Sequence, residues 1–390
     1  MLFMQQAQEL ESFLRETRRD FHRHPELPGQ EKRTSEKVRQ FLEENGIETL
    51  ELGLPVSVAA LIRGARAGKT AALRTELDAL PIQEQCPLDF ASENPGVMHA
   101  CGHDVHLSCL LGAAKLLKAH ADEIHGNVLL IFQSAEETSA GAKEMIAAGL
   151  LEEKIDAIFG LHTNTELDAG DVAFMSGPSQ ASADMFRIDI LGRGGHGAFP
   201  HTTLDPIVTA CQLTVQLQTI VSRSLDPMQA GVVSVCRIDA GTSSNIIPER
   251  AQLYGTIRAL EPSARELLIR RIEDICQGIS LASGCDCRFT LDEGAPAVVN
   301  DCALTELARS ACANVLGAGH VKLLPAAMVG DDMAEFLCRV PGVLGALGVR
   351  NEKLGAVHGN HTPHFMVDES CLVTGAACMA QMAWDFLSLD

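Results

Sequence analysis

Asn127-Val-Leu-Leu-Ile-Phe-Gln133 is an unbroken apolar run flanked by amide side chains, and Ser134-Ala-Glu-Glu137 follows it directly. A run without polar alternation suits a strand covered on both faces, the kind found in parallel sheets. Working outward, Val56 to Arg63, Thr70 to Arg74 and Ala157 to His162 are further short apolar runs and read as strands. His106 to His120 repeats apolar residues at helical spacing (Leu107, Leu110, Leu111, Ala114, Leu117), and Gly141 to Gly149 is also helical. Residues 5–46 read as helices broken at the turn His24-Pro-Glu-Leu-Pro-Gly29. Strands alternating with helices predict an α/β layered domain around a mostly parallel sheet.

From about residue 183 the rhythm changes. Asp184–Leu191, Gly231–Ile238, Ala251–Arg258 and Cys285–Leu291 read as strands, with helices over Asp205–Arg223 and Ser263–Ala282. That β-α-β-β-α-β order is the ferredoxin-like, split-βαβ layout of a compact α+β domain. The chain then returns to helix, strand and helix. The expected organisation is a discontinuous α/β domain of residues 1–182 and 292–390, with 183–291 inserted as a second domain.

At 390 residues the chain is long enough for two cores, and 46% hydrophobic with 21% charged residues is ordinary for a globular protein. A formal charge of −20 argues against nucleic acid or an anionic membrane as partner. One Trp (Trp384) and one Tyr (Tyr254) leave little to stack on bases. No apolar run approaches the roughly 18 residues of a membrane span, and Met1-Leu-Phe-Met-Gln-Gln-Ala lacks the pattern of a signal peptide. Thirteen cysteines, an odd number without a framework, fit reduced thiols and a cytoplasmic location. Most read as small buried hydrophobes. Cys285-Asp-Cys287, on an alternating strand with no histidine near, makes a poor metal pair.

The chemistry concentrates elsewhere. Met98-His-Ala-Cys-Gly-His-Asp-Val-His106 packs three histidines, a cysteine and an aspartate into nine residues. Cys101, His103, Glu137, His162 and His361 together offer a thiolate, three imidazoles and a carboxylate. One structural zinc needs only four ligands. Five donors that can share an oxygen suit two divalent cations about 3.5–4 Å apart, with Mn²⁺ and Zn²⁺ both compatible with this donor set. Glu136 is then free to act as general base and acid. The competing reading pairs Cys101 with His103 or His106 as nucleophile and base, but leaves Glu136, Glu137 and His361 without a task.

Asp78, just past a strand, could orient a metal-bound histidine or simply form a turn. Asp331-Asp332 could do similar supporting work or cap the following helix. In the inserted segment, His196 lies on the Gly194-Gly-His-Gly197 turn, Asn245 precedes Ile246-Ile-Pro248, and Arg258 follows thirteen residues on. An imidazole, an amide and a guanidinium suit an oxyanion and a carboxylate. Each alone also reads as a turn or surface residue.

In order along the chain, Arg18-Arg-Asp-Phe-His-Arg-His-Pro-Glu-Leu27, Met98 to His106, Phe132-Gln-Ser-Ala-Glu-Glu137, Gly160-Leu-His162, Gly194-Gly-His-Gly-Ala-Phe-Pro-His201, Asn245-Ile-Ile-Pro248, Gly255-Thr-Ile-Arg258 and His361-Thr-Pro-His-Phe365 resemble one family. It is the metallopeptidase family of aminoacylases and dinuclear carboxypeptidases. The resemblance is closest to its amidohydrolase branch of hippurate hydrolases and indole-3-acetyl-amino-acid hydrolases. It implies Cys101, His103, Glu137, His162 and His361 as ligands of two divalent ions and Glu136 as general base and acid. It implies His196, Asn245 and Arg258 for the transition-state oxygen and substrate carboxylate, with His196 able to serve a neighbouring subunit. It also implies a lid and dimerisation role for residues 183–291. Val329-Gly-Asp-Asp-Met333, Ser134-Ala-Glu-Glu137 and Gly160-Leu-His-Thr-Asn-Thr165 depart from the family's usual Gly-Glu-Asp-Phe, Pro-Ala-Glu-Glu and Gly-Leu-His-x-x-Pro. None removes a ligand.

The expectation is therefore a two-metal amidohydrolase of N-acyl amino acids, forming a homodimer or higher homo-oligomer. The alternatives are a dipeptidase or carboxypeptidase of the same family, or a metal-stabilised binding protein without turnover.

Overall fold

The computed structural model describes residues 2–389. They form two compact units: one comprises the chain up to Gly177 with Val299–Pro325 and everything from Asp332 onward, the other Pro178–Val298 with Ala326–Asp331.

The first unit opens with helices α1 (Leu2–Glu9), α2 (Glu11–Arg23) and α3 (Lys32–Glu44). Strands β1 (Glu48–Leu50), β2 (Val58–Arg63) and β3 (Arg66–Glu76), helix α4 (His103–Ala119), strand β4 (His125–Gln133), helix α5 (Gly141–Ala147) and strand β5 (Ala157–Asp168) follow. The eight-stranded sheet has the order β1-β2-β4-β3-β5, then Gly342–Arg350, Val172–Ala173 and Val321–Lys322. β4, β3, β5 and Gly342–Arg350 run parallel, so their carboxyl ends share one edge. β1 and β2 add antiparallel on the far side of β4.

The apolar run quoted first is indeed a central strand, with Val128 to Phe132 fully buried. Burying each such side chain contributes roughly 1.5–3 kcal/mol. α4 packs against α2, β3 and the C-terminal helix Cys371–Leu387. Gly112 makes the close crossing possible: a Cβ there would come within 2.6 Å of Leu14 and 3.0 Å of the Ala376 Cβ.

α4 begins at His103, three residues before the start that its apolar periodicity predicts. Gly102 takes a left-handed φ of 87°, which turns the chain into the helix without extra residues. The 26 residues between β3 and α4 are irregular but tied down. Ala79 N–H donates to Glu26 O, Leu80 bridges to Met98, and Asn94 Nδ2 donates to Pro25 O. Met98, Ala100 and Phe365 form a small core of their own beneath this segment.

In the second unit the strands Gly231–Ala240, Arg250–Ala259, Ala183–Leu191 and Asp286–Ala295 pair antiparallel in that order. The outer strands are thus the second and fourth in the chain, the ferredoxin-like arrangement. Helices Pro206–Thr219 and Pro262–Ser283 supply Leu213, Leu217, Leu268 and Ile272 to its core, against Ile188, Ile190, Leu253 and Ile257. This unit starts at Pro178 and runs to Val298, a wider span than residues 183–291.

Candidate metal centre

Asp78 follows β3, Glu136 and Glu137 follow β4, and His162 lies on β5, so the parallel sheet delivers all four to its carboxyl edge. His162 does not end its strand, as the apolar run alone predicts. β5 continues to Asp168 because Gly342–Arg350 pairs with it beyond His162. Cys101 precedes the left-handed Gly102, and His103 opens α4. His361, at a φ of 62°, donates its backbone N–H to Ala100 O at 2.8 Å, which brings the late loop beside Cys101.

Cys101 Sγ lies 3.4 Å from His162 Nε2. His103 Nε2 lies 3.8 Å from Glu136 Oε2 and 3.9 Å from Glu137 Oε1, and His361 Nε2 lies 3.3 Å from that same Glu137 oxygen. The donors of Cys101, His103 and His162 all fall within 4.8 Å of one another, as do those of Cys101, Glu137 and His361. Two donors at about 2.0–2.3 Å from one ion stand no more than roughly 4.6 Å apart, so each triplet has the size of a coordination sphere. Cys101 belongs to both triplets.

The polar groups fit an ion as well. His103 Nε2 and Glu137 Oε1 are buried without a hydrogen-bond partner. His103 presents that nitrogen because Nδ1 donates to the Asp78 carbonyl at 2.8 Å, with Asp78 Oδ1 at 3.2 Å. Asp78 Oδ2 accepts from the Glu137 N–H at 2.9 Å, so one aspartate steadies two donors. His162 Nδ1 is likewise held by Thr163 O at 2.9 Å, leaving Nε2 toward Cys101. Burial pushes the Cys101 thiol pKa up, with the nearby Glu137 and Glu136 carboxylates adding to the effect. Burial also works against ionised Glu137, yet the nearby His361 and His103 imidazoles hold it down to about 2. A cation would relieve both situations.

His106 is excluded as a ligand. Its Nε2 accepts from the Thr163 N–H at 2.8 Å, so Nδ1 carries the proton and donates to Glu76 Oε2 at 2.7 Å. Burial lowers its pKa to about 4, which keeps it neutral for that role. Both nitrogens being engaged, it cannot serve Cys101 as a base either. Glu76 is committed on its other oxygen to Arg74, so Glu76, His103 and His106 do not make a third site.

Glu76, Thr163 and Asn360 were not singled out by sequence reasoning. Thr163 Oγ1 donates to Cys101 O at 2.7 Å, and Asn360 Nδ2 donates to the same carbonyl at 3.1 Å. Asp332 does not cap the helix Met333–Leu337. It accepts instead from Arg74, Gln133 and the Ala142 N–H in the buried layer behind the sheet edge.

The turn that carries Glu136 and Glu137 is bracketed by Ala135 and Ser139, both at a φ of 54°. Left-handed backbone costs a residue with a Cβ about 1–2 kcal/mol, and such strain persists only where the surroundings enforce it.

His196, Asn245 and Arg258 lie in the second unit. Gly195–His196 pairs with Ile246–Ile247, and Gly197 N–H donates to Asn245 O, so His196 and Asn245 are brought together, both exposed. Arg258 donates to Thr256 Oγ1 at 2.6 Å and lines a groove of about 740 Å³ on its sheet with Met185, Tyr254 and Leu291. Cys285 and Cys287 join no cluster of three metal donors among the described residues.

Residues 72–385 match the peptidase family M20/M25/M40. The chain is 39% identical to "Thermostable carboxypeptidase 1" of Saccharolobus solfataricus over 387 residues, covering 97% of each. It is 39% identical to the "N-acetylcysteine deacetylase" of Bacillus subtilis, covering 94% of each. It also superposes on the crystal structure of a Bacillus subtilis dinuclear metal-binding peptidase of the M20 family with a TM-score of 0.87, at 35% identity and covering 98% of this chain and 99% of that one.

Proposed function

Because the chain belongs to the peptidase family M20/M25/M40, whose relatives hydrolyse amide bonds at metal centres, we propose that it cleaves N-acyl amino acids into a carboxylic acid and a free amino acid. The observation that carries this reading is the pair of donor triplets sharing Cys101, with the Glu136 carboxylate grouped beside them with His103 and Glu137. Two divalent ions held by Cys101, His103, Glu137, His162 and His361, Mn²⁺ or Zn²⁺, would lower the pKa of water and polarise the amide carbonyl. Glu136 takes the proton of the attacking water and returns it to the leaving nitrogen. Asp78 keeps His103 and Glu137 aimed throughout. His196 donates to the developing oxyanion, and Asn245 joins Arg258 in holding the amino-acid carboxylate. Arg258 supplies the local positive charge that a chain of formal charge −20 needs to hold the amino-acid carboxylate.

A second reading, carboxypeptidase or dipeptidase action, is favoured by the equally similar Saccharolobus relative. A panel of N-acetyl-, N-benzoyl- and aminoacyl-amino acids, assayed with Mn²⁺ and with Zn²⁺, separates the two. Glu136→Ala is the test of mechanism: it keeps the metal content and loses hydrolysis by roughly 10²–10⁴-fold. Undiminished turnover in that variant would refute the role.

The partner proposed is a second copy of the chain. Gly231–Ala240 is an edge strand with one side unpaired, and the helix Pro206–Thr219 packed beside it exposes Val208 and Val215. In such a dimer the second unit would serve as both lid and interface. No helix among the described residues is long and apolar enough to cross a membrane, and all thirteen cysteines are free thiols, which supports a cytoplasmic setting.

A further inference from the structure

Glu31 is a carboxylate with no exposure to solvent, 105 residues before Glu136 in the chain and unused by the chemistry above. It stands at the entrance of α3 but does not cap it. Glu26 does that instead, accepting from the Arg33 and Thr34 N–H groups at 3.0 and 2.8 Å. The Glu31 side chain turns to the end of β4. Both its oxygens lie 2.8 Å from Ser134 Oγ, and Oε1 accepts the Ala135 N–H at 2.9 Å. Ser134 also donates its N–H to Ser57 Oγ at 3.1 Å. A proline, the residue usual here in the resembling family, could make neither Ser134 bond.

Ala135 is the residue held at a φ of 54°, and the next two residues are Glu136 and Glu137. A residue with a Cβ does not stay left-handed unaided. The bond from its own N–H to Glu31 fixes the peptide plane that sets this conformation. A relaxed Ala135 would swing both following carboxylates away from His103 and His361. Burial raises the Glu31 pKa, and its hydrogen bonds from Ser134 and Ala135 oppose that rise.

We propose that Glu31 is a positioning residue of the metal centre: it clamps Ser134 and Ala135, holds Ala135 left-handed, and thereby aims Glu136 at the reacting water and Glu137 at the ions. This rests on the function proposed above for Glu136 and Glu137.

The decisive variant is Glu31→Met, which keeps the buried volume and removes the acceptors. In the full-length protein, stripped with chelator and titrated with Mn²⁺ and Zn²⁺ by calorimetry, metal affinity should fall about 10–100-fold. In the reloaded enzyme kcat on an N-acetyl amino acid should fall roughly 10²-fold, with a smaller change in KM. Glu31→Gln, whose amide can still accept from Ala135 N–H and donate to Ser134 Oγ, should stay near the parent. The discriminating step is Ala135→Gly in the Glu31→Met background. Glycine adopts the left-handed conformation freely, so it should restore most of the lost affinity and turnover. A merely structural role for Glu31 predicts no such rescue, and its absence overturns the proposal. If Glu31→Met does not fold, Ser134→Ala with and without Ala135→Gly makes the same comparison on a smaller scale. A parent inactive on every substrate of the panel would sink the functional reading, while the calorimetric loss and rescue would still decide the clamp.

Discussion

His361 and Ala100, 261 residues apart in the chain, are joined by a backbone hydrogen bond of 2.8 Å, and Cys101 is the next residue along. The late loop is further fastened by Gln85 N–H donating to Pro363 O and by Phe365 packing on Met98 and Ala100. The two segments that meet at Glu137 are thus one mechanical piece before any ion arrives.

Cys101 sits in both donor triplets, whereas His162 sits in one. Cys101→Ala should therefore cost more bound metal than His162→Ala. Elemental analysis of the purified variants should find the serious loss only in the first. Equal stoichiometry in the two would show that the sulfur is not shared.

Gly102 cannot be replaced cheaply. Its φ of 87° penalises any Cβ, and that Cβ would lie 2.7 Å from the Thr163 side chain. Gly102→Ala should destabilise the fold by about 2 kcal/mol or more and weaken metal binding, because Thr163 also holds the Cys101 carbonyl. Chemical denaturation and calorimetry read the two effects separately.

Arg18 is buried with its Nε 2.7 Å from Asp104, inside the hydrophobic layer beneath α4. Arg18→Met leaves the buried Asp104 carboxylate without its guanidinium, held only by His22. A loss of about 3–5 kcal/mol is expected, read from urea unfolding. A loss below about 1 kcal/mol would mean that the pair behaves as a surface contact.

His22 lies between Asp104 at 2.8 Å and Glu84 at 3.2 Å. Burial and the Arg18 charge push its pKa down, but the two carboxylates outweigh them and the net shift is upward. A raised folded-state pKa stabilises below the unfolded value of about 6.5, and the contribution disappears as pH climbs through the folded value. The parent should therefore exceed His22→Gln in stability by more at pH 6 than at pH 9. A pH-independent difference would contradict this account.

Val215 is 69% exposed on the helix beside the free edge of Gly231–Ala240. Val215→Glu should shift a dimer toward monomer in light scattering while leaving the melting of each unit intact. A parent that is monomeric at micromolar concentration would remove the proposal.

Much of this was legible in the residues. The run Val128 to Phe132 announced a buried strand, and the alternation after residue 183 announced a second sheet, because each depends on local pattern. The five candidate metal donors were legible by type, and the structure brings their donor atoms together. What failed to show was anything set by contact at a distance. The start of α4 was misplaced because a single left-handed glycine replaces a longer turn. β5 was cut short at His162 because the polar Thr163 to Thr165 gain their strand only from Gly342–Arg350. Glu31, Glu76, Thr163 and Asn360 carry no signature, since their work lies in partners 30 to 259 residues away, as Thr163 with His106 at 57 and Asn360 with Cys101 at 259 illustrate.

Gly342–Arg350 fills an interior place in the large sheet, between β5 and Val172–Ala173, although it is made almost last. During synthesis the ribosome must emit nearly the whole polypeptide before that gap closes. The inserted unit, whose four strands are all encoded between residues 183 and 295, can finish its own sheet first. The nascent first unit therefore waits, with the edges of β5 and its neighbour bare, and that interval is when a chaperone would be needed most.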